Sequence, residues 1–177
     1  FVDSDDYIVN DAAEKMYRIA KENDLDVLRF LYIDYIESKH KMSKLTVKEA
    51  CEDFFDQVYS GQELLHYVSV NGPDVFTGWA NFVKTEWLVK HKIYFPVGVY
   101  YEDTTFSMNV YKFARRSMYI SEMPYVHRVR ENSIITSPVT AKHTYSYIAQ
   151  LLRLWKMYTD RPPDEGEPLH LFYVALQ

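Results

Sequence analysis

The chain has 177 residues, a length that fits one domain with a sizeable core. Hydrophobic residues make up 47% and charged residues 25%, which excludes intrinsic disorder of the whole chain. Lys and Arg total 20 against 25 Asp and Glu, a net charge of −5. This mildly acidic balance argues against nucleic acid as a partner, which needs clustered positive charge.

The 5 glycines form neither G-x-G-x-x-G nor G-x-x-x-x-G-K, so glycine-rich phosphate loops are excluded. Cys51 stands alone, which forbids an internal disulfide and a Cys-based zinc site and fits a reducing compartment. No run approaches the roughly 18 apolar residues of a membrane span, and the opening residues do not read as a signal peptide. Phe1 and Val2 run straight into Asp3 like the end of a buried strand. The expectation is that an N-terminal portion precedes them.

Asp3-Ser4-Asp5-Asp6 reads as a polar turn. A helix is expected from Asn10 or Asp11, both good caps, with Ala13, Met16, Tyr17 and Ala20 as its apolar stripe and Asn23-Asp24 as its stop. Val27 to Ile33 predicts a strand and the charged stretch Glu37 to Lys44 a surface loop. Thr46 and Glu49 form a capping box that opens a predicted helix to about Ser60. Val47, Ala50, Cys51, Phe54, Phe55 and Val58 share its face, so Cys51 reads as buried structure, and Gly61 ends it. A short helix at Glu63 to Val68 and a turn at Asn71-Gly72-Pro73 follow.

Trp79 to Val83 predicts a strand, Glu86 to His91 a short helix and Phe95-Pro96-Val97-Gly98 a loop. Asp103 or Thr104 caps a further helix with Phe106, Val110, Phe113 and Ala114 on its face. Met118 to Ser121 and Tyr125 to Val129 read as two strands. The last helix spans about Ala141 to Tyr158, with Tyr145, Ile148, Leu152 and Trp155 in register. Arg153 and Lys156 beside its Leu and Trp residues leave a membrane surface open as its seat, although packing on the domain is preferred. Arg161 to Gly166 reads as a linker and Leu169 to Leu176 as a short apolar piece. Strands mixed with helices predict an α/β layered domain.

Three segments hold residues fit for chemistry. Asp3, Asp5 and Asp6, close together after a strand, can converge on one oxygen-loving cation such as Mg²⁺ or Mn²⁺, or can simply cap a turn. Glu102 and Asp103, opening a helix, can supply a general base or serve the helix dipole. In the strand around His127, the guanidiniums of Arg128 and Arg130 share one face, where they can clamp a phosphate or blunt an exposed edge. Trp79 can stack on a sugar or fill the core, and His127 can bind a metal or act as structure.

In this order, the segments resemble those of family 2 glycosyltransferases. Phe1-Val2-Asp3-Ser4-Asp5-Asp6-Tyr7-Ile8 resembles the D-x-D segment. Gly72-Pro73 through Trp79, Phe95-Pro96 and Tyr100-Tyr101-Glu102-Asp103-Thr104-Thr105-Phe106 resemble the central acceptor-side stretch. Arg130-Glu131-Asn132-Ser133-Ile134 resembles the closing R-x-x-S-I motif. The resemblance covers about residues 1–136 as the C-terminal portion of a catalytic domain, with 137–177 as a helical extension.

The resemblance implies a GT-A-like α/β fold, a mixed sheet flanked by helices, with the N-terminal nucleotide-binding part missing. It implies transfer of a sugar from a nucleotide-diphosphate donor to a saccharide or lipid-linked acceptor, with inversion and Mg²⁺ or Mn²⁺. On that basis Asp103 is the catalytic base and Glu102 its neighbour, while Asp5 and Asp3 hold the metal. Asp3, Asp5, Asp6, Arg130 and Ser133 lie on the donor side, and Trp79, His127 and Arg128 on the acceptor side. A role in cell-surface polysaccharide or glycolipid assembly, a cytoplasmic location and contact with the inner face of a membrane are further expectations. Two other readings stay open. A non-catalytic carbohydrate-binding relative is one, against which the presence of both Asp5 and Asp103 speaks. A D-x-D phosphohydrolase is the other, but Asp6-Tyr7 follows Asp5 where that class has Thr or Val, and no later Gly-Asp pair supplies its metal acids.

Overall fold

Two long strands form the spine of the protein. The computed structural model describes residues 1–44, 53–71, 76–131, 133–134 and 137–159. Within them, β1 (Tyr7–Ile8), β2 (Val27–Ile36), β3 (Lys41–Lys44), β4 (Val58–Tyr59), β5 (Asn81–Val83) and β6 (Ser117–Val129) make one mixed sheet. β2 and β6 run parallel at its centre. β1 and β4 pair antiparallel on the free edge of β6, through Val126 and Tyr125 and through Met118 and Ser117. β5 and β3 pair antiparallel on the free edge of β2.

A parallel pair needs cover on both faces, and alternate side chains of β2 meet two separate cores. Val27 and Leu31 join the cluster built from α2 (Gly61–Asn71), α3 (Thr85–His91), α4 (Glu102–Phe113) and α5 (Ala141–Thr159). Leu28, Phe30 and Tyr32 join the opposite cluster, closed by Ala12 and Met16 of α1 (Ala12–Glu22) and by Trp79 and Ala80. This layered α/β architecture bears out the predicted fold class.

Several elements differ from the sequence reading. Phe1 and Val2 are exposed and lie in no strand; Phe1 instead sets its ring edge against Phe95 and Phe106. In α1 the inward residues are Ala12, Met16, Ile19 and Ala20, while Ala13 and Tyr17 face solvent. The predicted loop at 37–44 is a 3-10 turn (Glu37–Lys39) and β3, closed by His40 in the left-handed conformation at φ 45°. The two strands predicted at 118–129 are one, with a register break opposite Leu31 that lies between their predicted bounds.

The capping box Thr46/Glu49 and Cys51 fall outside the described residues. From Asp53 on, the predicted helix does not continue: Asp56 takes a positive φ and Val58–Tyr59 pair with β6. The working capping box is Ser60/Glu63, in which Ser60 N–H and Oγ donate to Glu63 Oε2 at 2.8 and 2.7 Å. Gly61 therefore begins a helix instead of ending one. A β-carbon there would stand 2.2 Å from the Tyr111 carbonyl oxygen, so the absent side chain lets α2 approach α4.

α5 is turned over relative to its predicted face. Its buried side chains are His143, Ser146, Gln150 and Leu154, while Tyr145, Ile148, Leu152 and Trp155 are each at least 42% exposed. On this face α5 meets α4 through hydrogen bonds, Thr105 to Gln150 and Lys112 to the Met157 carbonyl, and through Leu154 in the shared core. The linker and the terminal apolar piece lie outside the described residues. No helix among the described residues is long and apolar enough to cross a membrane.

Candidate active site

The acid segment is fastened by the second half of β6. Tyr125 Oη donates to Asp6 Oδ2 at 2.6 Å and accepts from Asp3 N–H at 3.1 Å. Arg128 N–H donates to Asp6 Oδ1 at 2.7 Å, and Arg130 Nε donates to Asp5 Oδ2 at 2.7 Å. Burial, followed by the bond to Asp6, pushes the Tyr125 phenol well above its usual range, so it serves as a fixed hydroxyl. Asp6 is thus occupied in holding the turn.

Charge is distributed unevenly across this turn. The bond from Arg130 holds the Asp5 carboxyl below the usual carboxylate range. The Asp3 carboxyl is raised, first by partial desolvation and then by Asp6, Asp5 and Glu102, with His127 opposing.

α4 brings its two acids to the same place. Glu102 and Asp103 sit in its first turn, where the helix dipole favours carboxylates. The helix begins at Glu102, ahead of the predicted cap, and Tyr101 before it is left-handed at φ 60°. That conformation is uncommon for a bulky residue. Asp103 lies over Gly78: a β-carbon there would be 2.7 Å from Asp103 Oδ1 and 3.0 Å from the Phe95 ring. Phe1, two residues before Asp3, meets Phe95 at 4.9 Å and Phe106 at 5.5 Å between ring centroids. These contacts bring both acidic segments to the Phe95 ring.

A buried polar chain anchors the loop that carries Gly78. Arg29 Nη1 donates to Tyr111 Oη at 3.1 Å, Tyr111 Oη donates to Asn81 Oδ1 at 2.5 Å, and Asn81 Nδ2 donates to the Thr77 carbonyl at 2.7 Å. It ties β2, α4 and β5 to the loop that carries Gly78 and Trp79. A buried network is stable only when its members bond one another.

The remaining expected residues are placed as follows. Trp79 is 7% exposed, stacked on Tyr125 and His127 and edge-on to Tyr32, so little of its face is open to a ligand. His127 Nδ1 pairs with Asp34 Oδ1 at 2.8 Å, which turns its other nitrogen away from Asp34. Arg128 reaches Glu37 at 2.5 Å, so the two guanidiniums part to different carboxylates, Glu37 and Asp5, instead of closing as one clamp. Ser133 is half-buried in the turn after β6, and its carbonyl accepts from Ser137 N–H. Sequence reasoning gave no site role to Tyr125, Asp34, Gly78 or Asn81. Gly78 and Asn81 left a trace, as neighbours of the singled-out Trp79.

Among the described residues, no three His, Cys, Asp or Glu side chains form a metal cage on their own. Asp3 and Asp5 nevertheless fit the mode typical of Mg²⁺, one or two carboxylates completed by substrate phosphates. Partial desolvation and, after it, the neighbouring Asp6 and Asp5 charges raise Asp3, and a cation would offset both.

No known family model matches the chain. It is 23% identical over 141 residues to "Glycosyltransferase GlyA" of Streptococcus pneumoniae serotype 4, across 76% of this chain and 19% of GlyA. Its fold matches S. aureus TarS 1-349 in complex with UDP-GlcNAc at TM-score 0.64 and 17% identity, over 99% of this chain and 47% of that one. The TarS structure in complex with UDP matches at 0.63 and 18% identity, over 98% and 45%. The chain thus spans about half the length of these TarS chains and about a fifth of GlyA. It has the fold of the TarS structures and is similar in sequence to a streptococcal glycosyltransferase.

Proposed function

We propose that the complete protein is an inverting glycosyltransferase of family 2 type, transferring a sugar from a nucleotide-diphosphate donor to an acceptor hydroxyl in cell-surface polysaccharide or glycolipid assembly. One observation supports the reading: Phe1, two residues before Asp3, sets its ring against Phe95, and the same Phe95 ring lies with Asp103 Oδ1 over Gly78, so the two acidic segments meet at Phe95. The likeness to GlyA and to TarS with UDP-GlcNAc or UDP supports it.

On this reading Asp103 accepts the acceptor hydroxyl proton as the new bond forms at the anomeric carbon. The bond to the donor diphosphate breaks on the opposite side, and nucleoside diphosphate leaves. Glu102 orients the acceptor beside the base. Arg130, with Ser133, supplies donors and positive charge on the donor side. His127 and Arg128 border the acceptor side, with Trp79 packed behind His127. Asp3 and Asp5 would hold Mg²⁺ or Mn²⁺, which when bound stabilises negative charge on the leaving diphosphate.

The test is a screen of nucleotide-sugars, UDP-GlcNAc first, with and without Mg²⁺ or Mn²⁺, on the complete protein. At least one donor should raise the melting temperature in a cation-dependent way and be turned over. Asp103→Asn should keep that shift and lose about 10²–10⁴-fold in transfer rate. No stabilisation by any nucleotide-sugar, or full turnover by the variant, contradicts the reading.

A further inference from the structure

We infer that Ser146 and Gln150 of α5 are positioning residues for Asp103, so that α5 is part of the catalytic unit and not an extension of it; the inference rests on Asp103 being the base. Ser146 Oγ accepts from Tyr100 N–H at 3.0 Å, and Gln150 Nε2 donates to the Tyr100 carbonyl at 3.3 Å. Gln150 Oε1 also accepts from the Thr105 hydroxyl. The two α5 side chains therefore grip the backbone on one side of Glu102-Asp103 and a side chain on the other.

Their burial gives this grip its meaning. Ser146, Gln150 and Thr105 are 0%, 3% and 7% exposed. A buried hydroxyl or amide is costly unless bonded, and the inward face of α5 carries Ser146 and Gln150 beside the core residue Leu154. The helix directs those bonds at the turn that opens α4.

That turn needs outside support. Tyr101 holds a left-handed φ of 60°, a conformation that persists only where surroundings over-determine it. Its ring stacks on Tyr147 of α5 at 4.3 Å, and His143 of α5 lies 5.0 Å from the Tyr100 ring. With the turn fixed, Asp103 is held over Gly78. A base displaced by about 1 Å loses on the order of 10²-fold in rate.

The test compares Ser146→Ala, Gln150→Ala and the hydroxyl-retaining Ser146→Thr with the parent protein, using the donor found in the screen and UDP as the binding probe. Positioning predicts a 10–100-fold fall in kcat per UDP-binding site for both alanine variants. Donor KM and UDP affinity stay unchanged, and Ser146→Thr restores most of kcat. A packing role alone lowers stability but leaves kcat per binding site intact, and that result overturns the inference. Amide hydrogen exchange in the absence of ligand gives an arm independent of turnover. Exchange across 101–105 should quicken about tenfold or more in Gln150→Ala while β2 and β6 keep their protection; unchanged exchange there overturns the inference. Where Gln150→Ala does not fold, Ser146→Ala carries the same exchange measurement. If the parent protein transfers no sugar, the glycosyltransferase reading fails, and exchange alone decides whether α5 holds the turn.

Discussion

The Asp103 carboxylate rests on the backbone of Gly78, where a β-carbon would fall 2.7 Å from its Oδ1. Gly78 lies immediately before Trp79, so the loop that carries the aromatic stack is also the seat of the proposed base. No positive φ is required at this position, and the space is what demands glycine. Gly78→Ala should therefore fold but push Asp103 or the Phe95 ring aside. Steady-state kinetics should show kcat lower by about 10²-fold with donor affinity retained. An unchanged kcat means that Asp103 does not depend on this contact.

The bond between Arg130 Nε and Asp5 Oδ2 makes a separate prediction. It is the leading cause of the lowered Asp5 pKa, so Arg130→Gln should let that carboxyl climb towards the ordinary value of 3.8. Carbon-detected NMR titration of the Asp5 side chain would show the rise, and an unaltered midpoint would contradict the pairing.

Ser60 and Glu63 link stability to pH. Two bonds from Ser60 to Glu63 Oε2 lower the Glu63 pKa below its ordinary 4.5. A depressed folded-state value means that the contribution is fully present above the unfolded-state pKa. It is lost as pH falls through the folded-state value. Glu63→Ala should cost about 1 kcal/mol or less at pH 7, as capping contacts do. The gap to the parent protein, read from denaturant midpoints, should narrow as pH falls below the ordinary 4.5. A gap that is constant with pH would show that the carboxylate charge plays no part.

Much of the framework was legible in local pattern. α3, α4 and α5 lie close to where periodicity put them, and Val27 to Ile33 lies inside β2. Failures came where distant partners outvote local signals. Val58 continues an apolar helical face in sequence, yet the edge of β6 takes Val58 and Tyr59 as a strand. The stripe of Tyr145, Ile148, Leu152 and Trp155 is the obvious packing face of α5, yet Ser146 and Gln150 find partners on α4 and at Tyr100. The charged stretch 37–44 gave no strand signal, because β3 lies on an edge where charge is tolerated. At the candidate site the acids could be named from the sequence. Their holders, Tyr125 and Gly78, could not, because each depends on a contact spanning tens to more than a hundred residues.

The most direct measurement is a crystal structure of the complete protein with UDP and Mn²⁺, with the metal located by its anomalous signal. The expected result is a Mn²⁺ peak at Asp3 and Asp5, with the Asp103 carboxylate on the same side of the molecule. A metal bound away from those two carboxylates, or Asp103 turned to another face of the molecule, would contradict it.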